Sequence, residues 1–489
     1  MSDAASVPFT ETKAPESPER LHRGALSLID ISASTMANIG PAYSFFFGFG
    51  FLVFTAGVAA PLTIIVAGIA IALLGNTLSQ FSRAQPSTGG FISFVGKTFG
   101  GTSAVTTALL CGAGYIIAIS SVLAISGGFL ADILQYYFGW NVPWIILSVL
   151  LTAGATVMTI RGVGVSTKLA GFFFAFEMLV LIVVSVAVLI KNGGHLSFVP
   201  FEPSHITKGF TGLAAGFPLA IYLFIGWENS AALAEETGNP RRNVPRAVYL
   251  SIAMMVVGYV LFAFATVTGF HYNGTALAGS SIPFISVAHN VLAGFAFFAY
   301  LAGLTSTIGV LISAVNSQAR LIFNAGREGL LPRWIGRVHP VRKTPMNAIY
   351  VFVAIASAII LVWALLHLLG GHQQRGSMVA INFFVESSTM GTILVLVVYF
   401  LANLALPFYY RKFRPAEFNV LKHAVLPVLG MIAIGVPVYY LVKPGQPSPY
   451  NWFPYAALAI VVVAVAYGYI LNRRDPELGE RAGSIVADE

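Results

Sequence analysis

Three acidic residues stand inside long apolar stretches of this chain of 489 residues: Glu177, Glu228 and Glu386. No lysine or arginine falls at a comparable depth in those stretches. An ionised carboxylate without a partner in an apolar medium costs several kcal/mol, so such a group must be protonated, hydrated or matched by a cation. Proton exchange and cation recognition are therefore the chemistries these positions offer. In another apolar stretch, Ser306 and Thr307 present hydroxyls that either ligate a sodium ion or bond back to their own helix.

Glu228 lies in Phe224–Ala231, FIGWENSA, where Gly226 interrupts an apolar run. A second interruption sits midway along the first apolar segment, at Asn38–Ser44, NIGPAYS. Pro41 there has no N–H, and Gly40 tolerates backbone angles closed to other residues. A spanning helix breaks in mid-bilayer only where protein or an aqueous cavity satisfies the freed backbone groups. The half-helix ends then offer amides and carbonyls to an ion or a small zwitterion. A lone proline kink is the simpler reading of one break; two breaks point to a binding site.

The elements that position these residues are membrane helices. The chain is 57% hydrophobic and 9% charged, against about a quarter charged residues in soluble domains, and its mean hydropathy is +0.80. It reads as an all-α integral membrane protein. Windows of about 19 residues give twelve spans, at 25–54, 57–82, 102–132, 142–160, 166–190, 209–236, 245–270, 293–324, 346–369, 378–405, 423–442 and 452–472. The third and eighth run long, as tilted or protruding helices do. Met1–Arg23 is polar and reads as a disordered tail without a cleavable signal.

Basic residues set the orientation. With the N-terminus cytoplasmic, all but Lys191, Lys208, Arg375 and Lys443 of the 27 lysines and arginines fall on the inner side, and both termini are cytoplasmic. The net charge of +8 then reflects anionic inner-leaflet lipid, with no call for nucleic acid as a partner. Spans one and six, which hold the breaks, begin on opposite sides of the membrane. Two five-helix units related by an inverted repeat, 24–191 and 208–406, bring such breaks side by side at the midplane. Two further helices at 423–473 and a cytoplasmic tail at 474–489 complete the expected plan.

Other function classes lack their residues. The nine histidines form no metal-spaced pair, and the single cysteine, Cys111, excludes an intramolecular disulfide. No catalytic constellation lies at membrane depth, and no glycine-rich phosphate loop ends in Lys-Ser/Thr. The chain therefore reads as neither an enzyme nor an ATP-driven pump, with no metal site and no cofactor.

FIGWENSAALAEETGNPRRNVPRA (Phe224–Ala247) carries a family resemblance, supported by PSTGGFISFVGKTFG (Pro86–Gly100), RLIFNAGREGLLP (Arg320–Pro332) and YNWFPY (Tyr450–Tyr455). From about Gly24 to Arg474 the chain resembles the amino acid–polyamine–organocation transporters, of the bacterial amino acid permease type. The resemblance implies a five-plus-five inverted repeat with broken helices 1 and 6, alternating access, and a small-molecule substrate, an amino acid or an amine. It implies a substrate carboxylate beside Pro41 on the N–H groups of Ala42, Tyr43 and Ser44, and an ammonium on the carbonyls of Asn38, Ile39, Tyr222 and Ile225. Gly226, Trp227 and Glu228 belong to the same region, and Tyr115 lines the cavity. Gly40-Pro41-Ala42-Tyr43 departs from the commoner Gly-x-Gly at the first break.

Glu228 is the leading candidate for proton coupling or amine recognition. Glu177 stands where some relatives carry a lysine in place of a sodium ion, and Glu386 is a third cavity candidate beside Asn382 and Phe383. Arg241, Arg242 and Arg246 are expected either to be solvated or to close an inner gate on Glu235 and Glu236. The leading expectation is a secondary amino acid transporter of the cytoplasmic membrane, coupled to a proton or else to sodium. The alternatives are a carrier of polyamines or other organic amines and an amino acid exchanger, with a channel or a membrane receptor further behind.

Overall fold

The computed structural model describes residues 21–369 and 377–487. Helices account for nearly all of the regular structure: α1 (Leu28–Ile39), α2 (Pro41–Ala56), α3 (Ala60–Ala84), α4 (Phe91–Phe99), α5 (Gly101–Phe138), α6 (Trp144–Ile160), α7 (Val163–Lys191), α8 (Gly209–Tyr222) and α9 (Asn229–Ala232) come first. They are followed by α10 (Pro240–Gly269), α11 (Gly274–Ala278), α12 (Pro283–Val291), α13 (Ala296–Arg327), α14 (Met346–Leu369), α15 (Ser377–Phe413), α16 (Leu426–Val442), α17 (Phe453–Arg474) and α18 (Leu478–Arg481). Among the described residues the only bridge of β type joins Leu26 to Thr237.

Nine helical stretches among the described residues are long and apolar enough to cross a membrane, and α6 and α8 are shorter apolar helices. Length and composition thus give nine plus two rather than twelve. The first stretch, Leu28–Ala84, runs 57 residues through its interruptions and counts once. The expected long third and eighth spans are α5, with 38 residues, and α13, with 32.

Burial sorts the helices into a centre and a lipid-facing ring. The most apolar window of α5 is 72% buried, whereas that of α17 is 17% buried. Leu458, Val462, Val463 and Ile470 of α17 are exposed. Apolar surface of this extent would be a liability in water and is the expected boundary with lipid tails. The α5 helix packs on α6, α15 and α17, α10 packs on α3, and α13 packs on α7.

Local chemistry sets the helix ends. Ser27 caps α1 in a capping box, its hydroxyl accepting the Asp30 N–H while the Asp30 carboxylate accepts the Ser27 N–H at 2.9 Å. Leu21, expected to lie in a disordered tail, packs instead with Leu26 on the turn after α9: the Leu26 N–H donates to the Glu236 carbonyl and the Leu21 N–H to the Glu235 carboxylate. The rest of that expected tail, residues 1–20, and Arg375 lie outside the described residues. At the other end, α18 and residues 483–487 fold back against α4: Gln85 Nε2 donates to the Gly483 carbonyl and the Ala487 N–H to that of Pro86.

Candidate functional site

The two sequence breaks are real and touch each other. Between α1 and α2, Gly40 adopts φ 62°, which only glycine enters cheaply, and a Cβ there would lie 2.2 Å from Val310 Cγ2. Pro41 then opens α2 at its first helical position, where its missing N–H costs nothing. Between α8 and α9, residues 223–228 run through successive turns, and Gly226 has φ 107°. A Cβ on Gly226 would meet Asn38 Nδ2 at 2.7 Å, so both glycines are required by close approach. Asn38 Nδ2 donates across the junction to the Gly226 carbonyl at 3.3 Å.

The orphan donors of α2 can be counted completely. Pro41 has no N–H; the Ala42 N–H donates to Glu177 Oε2 at 2.9 Å and the Tyr43 N–H to Ser306 Oγ at 3.0 Å. The Ser44 N–H donates to the Gly40 carbonyl at 2.7 Å. These three amides were expected to hold a substrate carboxylate, and in this structure all three are engaged within the protein. The Ile39 carbonyl, expected to hold an ammonium, accepts the Ser44 hydroxyl at 2.5 Å. Glu177, on α7, caps a 16-residue helix from outside it, its carboxyl oxygen accepting an N–H at the positive end of the α2 dipole.

Glu228 is held at the second break. Its Oε1 accepts the Tyr115 hydroxyl at 2.6 Å and its Oε2 the Gly226 N–H at 3.2 Å. Trp227 is fully buried and lies edge-on to Tyr399, with ring centroids 5.6 Å apart. Asn38, Tyr115, Glu228, Asn229 and Gln318 line one cavity of about 20 Å³. A second, of about 40 Å³, is lined by Asn38, Ile39, Tyr43, Ser44, Tyr222, Ile225, Gly226 and Gln318 among others. Each has room for no more than a few water molecules.

The structure therefore brings most of the sequence candidates together. Pro41, Ala42 and Trp227 support the junction without lining either cavity, and Glu177 and Ser306 lie behind the first break. Thr307 bonds back to the Leu304 carbonyl at 2.8 Å, as hydroxyls in membrane helices commonly do. Glu386 lines neither cavity, and its Oε2 accepts the Trp363 indole N–H at 3.0 Å. Sequence reasoning missed Asn229 and Gln318 as lining residues. Gln318 was legible in principle, as a polar side chain inside an apolar span.

On the side away from the termini, the Tyr43 and Tyr222 hydroxyls meet at 2.7 Å. Phe384 of α15 packs edge-on to both rings, at 5.8 Å and 5.9 Å between centroids. Beyond that layer lies a vestibule of about 240 Å³ lined by Phe47, Phe51, Phe54 and Phe384.

The termini side is closed differently. Arg320 Nε and Nη2 grip the Glu236 carboxylate at 2.5 and 3.0 Å, with both side chains buried. Arg327 Nη1 and Nη2 grip that of Glu235 at 3.2 and 2.7 Å. Of the two expectations for Arg241, Arg242 and Arg246, the solvated one fits Arg242 and Arg246, which are exposed, while Arg320 and Arg327 hold the two glutamates. Arg241 bonds instead to the carbonyls of Arg83 and Ala84, because α10 turns its first arginines toward the end of α3.

Two broken helices meeting over small cavities, inside an apolar all-helical body, are the features that comparison with known proteins can test. The sequence matches the amino acid permease family over residues 24–466. The chain belongs to that family. It is 24% identical over 459 residues to the methylthioribose transporter of Bacillus subtilis, covering 88% of this chain and 90% of that protein. It is 22% identical over 447 residues to a branched-chain amino acid permease of the same organism, covering 87% and 88%. The mouse Asc-type amino acid transporter 1 is 26% identical over 349 residues, covering 69% of this chain and 64% of its own. Among solved structures, a mutant manganese transporter of Eremococcus coleocola aligns over 91% of this chain and 95% of its own, with a TM-score of 0.54 and 12% identity, a likeness of fold. The three sequence relatives are named as transporters or permeases rather than enzymes, and the amino acid permease family is a family of membrane-type transporters.

Proposed function

We propose that this permease is a secondary active transporter that carries a small amine-bearing solute across the cytoplasmic membrane by alternating access. Amino acids are the class that two of the named relatives carry. In this reading the two breaks belong to a five-plus-five inverted repeat, 24–191 and 208–406, and the termini side is cytoplasmic. The observation that carries it is the junction itself: Asn38 against Gly226, with Glu228 on a small cavity that lies between two different sets of closing contacts. A site occluded at mid-depth between two separable closures is what alternating access requires, and an open pore would not have it.

Glu228 is the group assigned to the coupling proton or the amine, because it is the acidic residue lining a cavity. Glu177, in this reading, holds the break in shape. The test is uptake into proteoliposomes of neutral, cationic and anionic amino acids and of putrescine, with and without an inward proton gradient, in sodium-free buffer. Accumulation that needs the gradient supports proton coupling, and Glu228→Gln is then expected to abolish that dependence. Uptake restored only by sodium would overturn it and turn attention to Ser306. A second reading, a carrier of organic amines without a carboxylate, is favoured by the engaged amides of α2.

A further inference from the structure

Residues 475–487 run back across the termini side after α17 and make few but specific contacts there. Leu478 and Ala482 are fully covered, and α18 packs on α4 and α5. Arg481 ties the segment together by pairing with Asp475 and Glu477, and its Nε donates to the Glu328 carbonyl at 3.5 Å. Gln85 Nε2, just past α3, donates to the Gly483 carbonyl, and the Ala487 N–H donates to the Pro86 carbonyl. Gly483 has φ 69°, and a Cβ on it would lie 2.6 Å from the Ser93 carbonyl oxygen of α4. The segment therefore reaches this surface only with glycine at that position.

Two chains of contacts lead from this segment to the ion pairs of the closure. The first runs through the turn after α13. Glu328 is buried there, facing the Gly483 and Ile485 amides, and its Oε1 accepts the Ser93 hydroxyl at 3.5 Å. Ser93 Oγ accepts the Asn324 amide at 3.3 Å. Asn324 Oδ1 accepts Arg327 Nη2 at 2.7 Å, and the same guanidinium grips Glu235. The second chain runs through residues 86–90: the Ala487 N–H holds the Pro86 carbonyl, and Thr88 Oγ1 accepts the Glu235 N–H at 3.2 Å. Both end on Glu235. A shift of the α13 end that parts Arg327 from Glu235 must also displace Ser93, Glu328 or the docked segment.

The docked segment buries little. Its covered apolar side chains are Leu478, Ala482 and Ala487, so it can detach without unfolding the helices beneath it, as segments with few buried apolar contacts do. We propose that residues 475–487 are a strap that holds the termini-side closure shut. Releasing it lowers the barrier to parting Arg327 from Glu235 and opens the Glu228 cavity from that side. The docked and released states act on one ion pair through two contiguous chains of contacts, which is the physical basis of the coupling. This goes beyond the transport reading above, and only the strap's use as a brake on transport rests on that reading.

The test follows Ala232→Cys, a cavity-lining position on α9, in a Cys111→Ser background. An impermeant maleimide is applied, without added solute, to membrane vesicles of both orientations. A protease site inserted between Arg474 and Asp475 lets the strap be cut after the protein has folded. Cutting is expected to raise the labelling rate about fivefold, the weight of roughly one lost hydrogen bond. The rise should occur in vesicles of the orientation in which the site can be cut, and in no other. Gly483→Val, which blocks docking and leaves both ion pairs untouched, should reproduce it in the uncut chain. Unchanged labelling after cutting overturns the strap, even if the melting temperature falls, since a mere brace would lower stability alone. A rise from both faces alike overturns it too. Because labelling needs no solute, a one-sided rise in a protein that takes up none of the solutes named above would overturn the transport reading and leave the strap's hold on the closure standing.

Discussion

The two closures of the cavity are built from different materials. Away from the termini, one hydroxyl–hydroxyl bond and the edge of Phe384 separate the cavity from a vestibule. On the termini side, two arginines on one helix are paired with two adjacent glutamates, and the first and last described segments are laid over the region. Residues 21–26 bond to the Glu235–Thr237 turn, and Arg481 donates to the Glu328 carbonyl. An aromatic layer opens by rotating side chains, at a cost comparable to one neutral hydrogen bond plus ring contacts. Separating buried ion pairs leaves charges without partners in a poorly hydrated interior, which costs far more. The asymmetry bears on the proposed transport cycle: in that reading the aromatic side breathes thermally, whereas the ion-paired side needs a bound solute or an ion gradient to drive it open.

The largest expected effect breaks the stronger closure. Arg320→Ala leaves Glu236 buried and uncompensated, and should destabilise the protein by about 3–5 kcal/mol. Thermal unfolding of the purified protein measures it. Arg320→Met combined with Glu236→Leu removes both charges and should recover most of that loss. If the double variant is as unstable as the single one, the closure is held by shape rather than charge.

The weaker closure gives a smaller effect. Tyr222→Phe removes the hydroxyl bond to Tyr43, worth about 1 kcal/mol, and should raise opening on that side about fivefold. The readout is the labelling rate of a cysteine placed at Ala118, a cavity-lining position, in a Cys111→Ser background. An unchanged rate would mean that Phe384 alone sets the barrier.

The smallest effect sharpens the contrast through pH. Glu328 sits just past the end of α13, and burial pushes its carboxyl up from 4.5 to about 7. A group whose folded value is raised binds its proton more tightly when folded, so the stability it contributes is full below about pH 4.5 and falls as pH rises through 7. The thermal unfolding midpoint of the purified protein should therefore fall between pH 5 and 7.5. Glu328→Gln should flatten that dependence.

These features differ in how far they could be seen in the chain itself. The apolar helices and both breaks were legible, because each depends on composition or on a residue's own backbone chemistry. Pro41 lacks an N–H wherever it is placed, and Gly226 interrupts an apolar run in any context. Glu228 was legible too, since a charge inside an apolar span demands an explanation. The partners were not. Glu177 reaches the Ala42 amide across 135 residues of chain, and Arg320 reaches Glu236 across 84. Such pairings depend on helix rotation and on which helices become neighbours, and neither is encoded in local spacing. The same limit turned Arg241 toward α3 and sent Glu386 to Trp363. The sequence by itself determined that this chain would bury two broken helices in a membrane. Only the tertiary structure decided that the amides freed by the first break would already be occupied, because the carboxylate that fills them comes from a distant helix.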